Sequence, residues 1–146
     1  MGFARRTGKM PVLALINFAR VLNKMSSRIV KSGSGWRLGW DGEGGEFKGL
    51  VGGENWAMEL TEAELNDFCR LLGQLAKSME EMAEELMEEE RIACEAESDR
   101  LWMQIEGYPQ SYTVQFILNG GRRGEGKWPA EAVADLVREA RVLKTF

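Results

Sequence analysis

Apolar and polar residues alternate with a period of two in two separate stretches of the chain, and each stretch runs into a segment of three-four spacing. In the first, Arg28-Ile29-Val30-Lys31 precedes Gly35-Trp36-Arg37-Leu38-Gly39-Trp40, where Trp36, Leu38 and Trp40 share a face. The turn Asp41-Gly42-Glu43-Gly44-Gly45, the run Phe47–Val51, the turn Gly52-Gly53-Glu54-Asn55 and the alternating Trp56–Leu60 complete an expected antiparallel meander. Thr61-Glu62-Ala63-Glu64 then reads as a capping box, hydroxyl and carboxylate satisfying orphan amides at a helix start. Leu65, Phe68, Leu72, Leu75, Met79, Met82 and Leu86 lie along one stripe of a helix expected over 62–90, about 43 Å long at helical rise. That stripe suits packing on the protein's own sheet; a coiled-coil-like contact with another chain is the alternative, weakened by Gly73 in mid-helix.

The second stretch repeats the plan. Arg91–Glu97, Leu101–Glu106 and Ser111–Leu118 alternate as strands, with Gly107-Tyr108-Pro109-Gln110 as the turn between the last two. Asn119-Gly120-Gly121 turns the chain into a short strand expected over Arg122–Trp128, and Pro129 opens a helix with Val133, Leu136, Val137, Ala140 and Leu143 inward. The pattern predicts a single α+β domain over 25–146, a duplicated unit of about four antiparallel strands followed by a helix, the units spanning about 28–90 and 91–146. Residues 1–24 stand apart as an extension or a targeting tail, with an integral packed helix as the third reading. Their apolar core, Met10–Ala19, is too short to span a bilayer, which takes about 20 residues.

Composition narrows the chemistry. The 146 residues include no histidine, which removes His-dependent dyads and triads and the commonest zinc ligand. The two cysteines, Cys69 and Cys94, sit where small apolar residues would pack and read as buried thiols of a reducing compartment. Residues 1–40 carry eight basic and no acidic side chains, leaving eleven basic and all 23 acidic ones, a net of −12, to residues 41–146. Such a body does not grip phosphate over its whole surface.

Three constellations invite a functional reading. Gly121-Arg122-Arg123-Gly124-Glu125-Gly126-Lys127 matches the glycine half of a phosphate loop, but Trp128 stands where Ser or Thr would hold magnesium and Pro129 removes an amide donor, so a hairpin tipped by two arginines is expected instead. The run Glu80, Glu81, Glu84, Glu85, Glu88, Glu89 and Glu90 reads as a solvated helix face, or as a docking strip for a basic partner. Trp36, Trp40, Trp56, Trp102 and Trp128, with Tyr108 and Tyr112, either fill cores or, interleaved with Arg37, Lys48, Arg122 and Arg123, make a stacking platform for unpaired bases. Trp102 is the ring expected outside, because Leu101, Met103 and Ile105 claim the opposite face.

Long strings carry a family resemblance: Val30–Asp41, Phe47–Ala57, the helix start Glu62–Leu72, Ile92–Ser98 and Glu106–Pro109 resemble the cyanobacterial and plastid family called Domain of Unknown Function 1818. The resemblance covers about residues 28–146 and leaves 1–24 outside. It implies a likeness of shape to the Whirly and positive-cofactor-four class of single-stranded-DNA-binding transcriptional regulators, although the acidic body departs from the basic sheets of that class. Fold by itself carries no function, and the family has no catalytic motif to transfer. The expectation is a non-enzymatic binding module without cofactor or metal, and cytoplasmic, or stromal if residues 1–24 are a plastid transit peptide. Its partner would be single-stranded nucleic acid, held by Arg37, Lys48, Trp102, Arg122 and Arg123, or another protein; membrane insertion is not expected, and self-association stays open.

Overall fold

Two glycine-punctuated meanders build the protein, each handing the chain on to a helix. The computed structural model describes residues 28–85 and 90–143; the tail 1–24 and residues Leu86, Glu88 and Glu89 lie outside them. The first sheet contains β1 (Arg28–Gly33), β2 (Trp36–Asp41), β3 (Gly49–Gly52) and β4 (Ala57–Leu60), antiparallel in chain order. Leu38 pairs with Val51, Val51 with Met58 and Gly49 with Leu60, so Trp36, Leu38, Val51 and Leu60 form one buried face. Gly35 takes a left-handed φ of 82° in the first hairpin, a conformation glycine adopts without steric cost. In the next loop the Glu43 amide donates to the Asp41 carboxylate at 3.0 Å, closing an Asx turn, and β3 begins at Gly49, beyond the expected start at Phe47.

Helix α1 (Glu62–Ala83) begins as its capping box requires: the Glu64 amide donates to the Thr61 hydroxyl at 3.1 Å, and the Thr61 amide to the Glu64 carboxylate at 2.9 Å. It ends earlier than the expected Glu90. No basic residue stands in its last turn, and Glu80, Glu81, Glu84 and Glu85 crowd the negative end of the helix dipole. The 22 residues span about 33 Å. Leu65, Phe68, Leu72, Leu75 and Met79 of the stripe are buried, and Met82 at its end is half-buried.

The second sheet contains β5 (Ile92–Glu97), β6 (Leu101–Tyr108), β7 (Ser111–Leu118) and β8 (Glu125–Trp128), again antiparallel in chain order. β6 and β7 pair up to Tyr108 and Ser111, so Gly107 and Tyr108 belong to the strand and the turn tightens to Pro109-Gln110. Arg122 and Arg123 do not begin a strand as expected. Gly120–Arg122 forms a single 3-10 turn, and Arg123 takes a left-handed φ of 54° before β8 starts at Glu125. Helix α2 (Ala130–Leu143) buries all five residues assigned to its inner face, Val133, Leu136, Val137, Ala140 and Leu143.

The helices cross over between the sheets. α1 follows the first sheet yet lies mainly against β5 and β6, while α2 follows the second and packs on β1 and β2 as well as β7. Both helices touch each other, and one continuous core takes in buried residues from Trp36 to Leu143. At the seam of the sheets Trp56 lies 5.1 Å from Trp128 by ring centroids, and Phe68 and Phe116 complete the cluster. Gly126 makes room there, since a Cβ on it would clash with the Trp56 ring. The Trp128 indole donates to the Gly52 carbonyl at 2.7 Å, satisfying a buried donor across the two sheets. Cys69 is buried as expected; Cys94, on the edge strand β5, is only half-buried.

Candidate interaction surfaces

The five residues expected to hold nucleic acid do not share one face. Arg37 stands outside the first sheet in a cross-strand row with Ser32, Gly52 and Ala57. Beside that row Arg28, Val30, Gly39, Lys48, Leu50 and Glu59 line a shallow groove of about 250 Å³. The Lys48 ammonium there lies 3.9 Å from the Glu62 carboxylate.

Arg122, although partly exposed, reaches across to the first unit. Its guanidinium donates to the Glu64 carboxylate and the Glu59 carbonyl, and its Cζ lies over the Phe47 ring, 4.6 Å from the centroid. Glu64, buried and already half of the α1 capping box, thereby ties the helix start to the β7–β8 connection. This arginine is a brace between the two units. Arg123 beside it is exposed and makes no ion pair with the described residues.

Trp102 points out from the second sheet, as its register alternates against Leu101 and Met103. It pairs with Ile117 on one side and Glu97 on the other, and Glu125 closes the row beyond Ile117. The next row is Glu95, Gln104, Gln115 and Lys127, and the third holds Ala93, Glu106 and Thr113. A half-buried apolar pair thus sits in an acidic surround, with Glu106 itself 3.4 Å from Arg91. Sequence reading placed Trp102 outside but overlooked the acidic row, although the alternation of Glu95, Glu97 and Glu106 against Cys94, Ala96 and Ile105 carries that signal.

A polar cluster holds this face to the helix. The Ser98 hydroxyl donates to the Asp67 carboxylate at 2.7 Å and Arg100 at 3.3 Å, while Arg70 lies 3.5 Å away. Burial pushes the Asp67 carboxyl up, but these hydrogen bonds outweigh it and hold the group below its ordinary value. Among the described residues, no group of three or more His, Cys, Asp or Glu is placed to hold a metal ion, and no helix is long and apolar enough to cross a membrane.

Two four-stranded antiparallel sheets with crossed-over helices and solvent-facing outer surfaces define a single small α+β domain. The chain belongs to the family described as Domain of unknown function (DUF1818), which matches residues 31–143. It is similar to the crystal structure of a protein with unknown function from DUF155 family from Prochlorococcus sp. NATL2A, at 28% identity and a TM-score of 0.74, over 79% of this chain and 98% of that one. No curated protein matches the sequence.

Proposed function

We propose that the protein is a non-catalytic binding module whose partner is another protein, presenting a basic segment to the outer face of the second sheet. The observation that carries this reading is the pair Trp102–Ile117 set between Glu97 and Glu125, with Glu95 in the adjoining row and Glu106 in the row beyond it. An aromatic anchor within a charged rim is the anatomy of a protein-binding patch, and like charge on the rim selects the opposite charge in the partner. Nucleic acid asks for the reverse, a cationic face around the stacking ring. The arginines are elsewhere: Arg37 is on the first sheet, and Arg122 is engaged with Glu64 and Glu59.

Fluorescence anisotropy tests the reading with three labelled probes: a lysine-rich peptide carrying a single leucine, its glutamate counterpart, and a thymidine oligonucleotide. The lysine peptide should bind, weaken with added salt as charges beyond about 8 Å are screened, and lose affinity severalfold in Trp102→Ala and in Glu97→Gln with Glu125→Gln. Binding of the oligonucleotide in place of the lysine peptide, reduced by Arg37→Ala and Arg123→Ala, would overturn the reading. It would support the likeness to single-stranded-DNA-binding regulators instead.

A further inference from the structure

A second candidate site lies where the helices meet the β6–β7 hairpin. A cleft of about 470 Å³ opens between α1, α2 and that hairpin. This is within the range of small-molecule sites, about 300–1,000 Å³. Its floor is apolar: Ala76 and Met79 come from α1, Val133 and Val137 from α2, and all four are buried. Its rim is polar and specific. Tyr112 reaches it from β7, Arg138 and Arg141 from α2, and Glu80 from α1.

The rim groups differ in how firmly they are held. Arg138 is 3.0 Å from Asp135 and 3.4 Å from Glu139, both on its own helix. Arg141 has an exposed partner, Glu80 at 3.2 Å, with side-chain exposures of 47% and 65%. Such a surface pair contributes about 0–1 kcal/mol, so an incoming anion exchanges for it at little cost. The Tyr112 hydroxyl makes no hydrogen bond to the described residues, and burial, with Glu80 nearby, raises its pKa despite Arg141. It therefore remains a protonated donor at neutral pH. With Arg138 already paired to Asp135 and Glu139, Arg141 is the rim cation that an incoming anion can take over.

We propose that this cleft binds small apolar monocarboxylates, the aliphatic or aromatic body lying on Met79, Val133 and Val137 and the carboxylate accepting from Arg141 and the Tyr112 hydroxyl. A single negative charge fits the rim better than two, because Glu80 stays at the mouth after Arg141 has turned away from it. The proposal stands on a different face and on different residues from the protein-binding reading, and either can fail without the other.

The test is titration of the full chain, followed by backbone amide chemical shifts, with octanoate, 1-octanol and octylamine as probes. Octanoate should shift amides of residues 76–80 and 133–142 and bind about tenfold more tightly than 1-octanol, the difference a charge-assisted hydrogen bond supplies; octylamine should bind most weakly. Arg141→Gln should reduce octanoate to the level of the alcohol and leave the alcohol unchanged, which separates loss of the charge from loss of the cleft. Ala134→Trp, at an exposed position lining the cleft, should block both without touching the core. Equal binding of acid and alcohol, indifference to Arg141→Gln, or shifts centred elsewhere would overturn the proposal. So would a dimer in sedimentation velocity that Ala134→Trp dissociates and octanoate does not, since the cleft would then be filled by a second copy.

Discussion

Arg122 shows how a residue's role is set by what it faces. In the sequence it is one of two adjacent arginines in a glycine-rich hairpin, the pattern of an exposed phosphate contact. In the folded protein its guanidinium bridges Glu64 and the Glu59 carbonyl and covers Phe47, whereas Arg123, one residue on, makes no ion pair with the described residues. Arg122→Ala leaves a buried carboxylate without that partner, and hydrogen bonds to charged groups contribute about 1.5–3 kcal/mol. The urea midpoint should fall accordingly, while Arg123→Ala should leave it unmoved; equal effects of the two would refute the brace. Asp67 carries a pH-dependent counterpart. Its folded-state pKa is depressed, so its contribution is present above the unfolded value, about 3.9, and is lost as pH falls through the lower folded value. The stability difference between the wild type and Asp67→Asn should shrink as pH drops from about 5 to about 2 in denaturant titrations. A difference constant over that interval would mean that the carboxylate's charge does not hold the Ser98–Arg100 turn.

At the scale of elements, local signals located most boundaries and failed where a neighbour or a charge intervened. The capping box at Thr61–Glu64 and the alternation in β2, β6 and β7 were legible because each depends on residues a few positions apart. Helix α1 ends before the Glu90 that its apolar spacing predicts, because the accumulating carboxylates oppose the helix dipole. The strand expected from Arg122 was displaced because Arg122 is drawn to Glu64 across the protein. Leu72, fully buried on α1, tests the element's packing: Leu72→Ala should cost about 2–5 kcal/mol through lost burial and a cavity. Unfolding monitored by far-ultraviolet circular dichroism measures this. Unchanged stability accompanied by dissociation of an oligomer would assign the stripe to an interface between chains.

Across the whole molecule the decisive feature is the crossover of the helices. Each meander-plus-helix unit was recognisable as a repeat, which suggests two halves that stand alone. Yet α1 lies mainly on the second sheet and α2 reaches β1 and β2 of the first, with Lys31 of β1 bonded to Glu139 of α2 at 2.9 Å. A fragment of residues 25–90 keeps the stripe of α1 but loses the strands that bury it. It should give a collapsed amide spectrum and little fixed structure, whereas the intact chain should unfold in one cooperative transition. A well-dispersed spectrum from the fragment alone would show that the units are autonomous.

What the sequence by itself determined is whatever rests on short separations: strand alternation, turns at glycine, the helix cap, the inward face of α2 and the outward turn of Trp102. Family membership rested on such strings as well. Only the tertiary structure decided which of the five assigned binding residues stand together, because Arg37 and Trp102 fall on different sheets and Arg122 meets Glu64 at a separation of 58 residues. Periodicity assigns a residue to a face of its own element; the partner it meets there is set by how the elements pack, and here the helices pack across the repeat boundary.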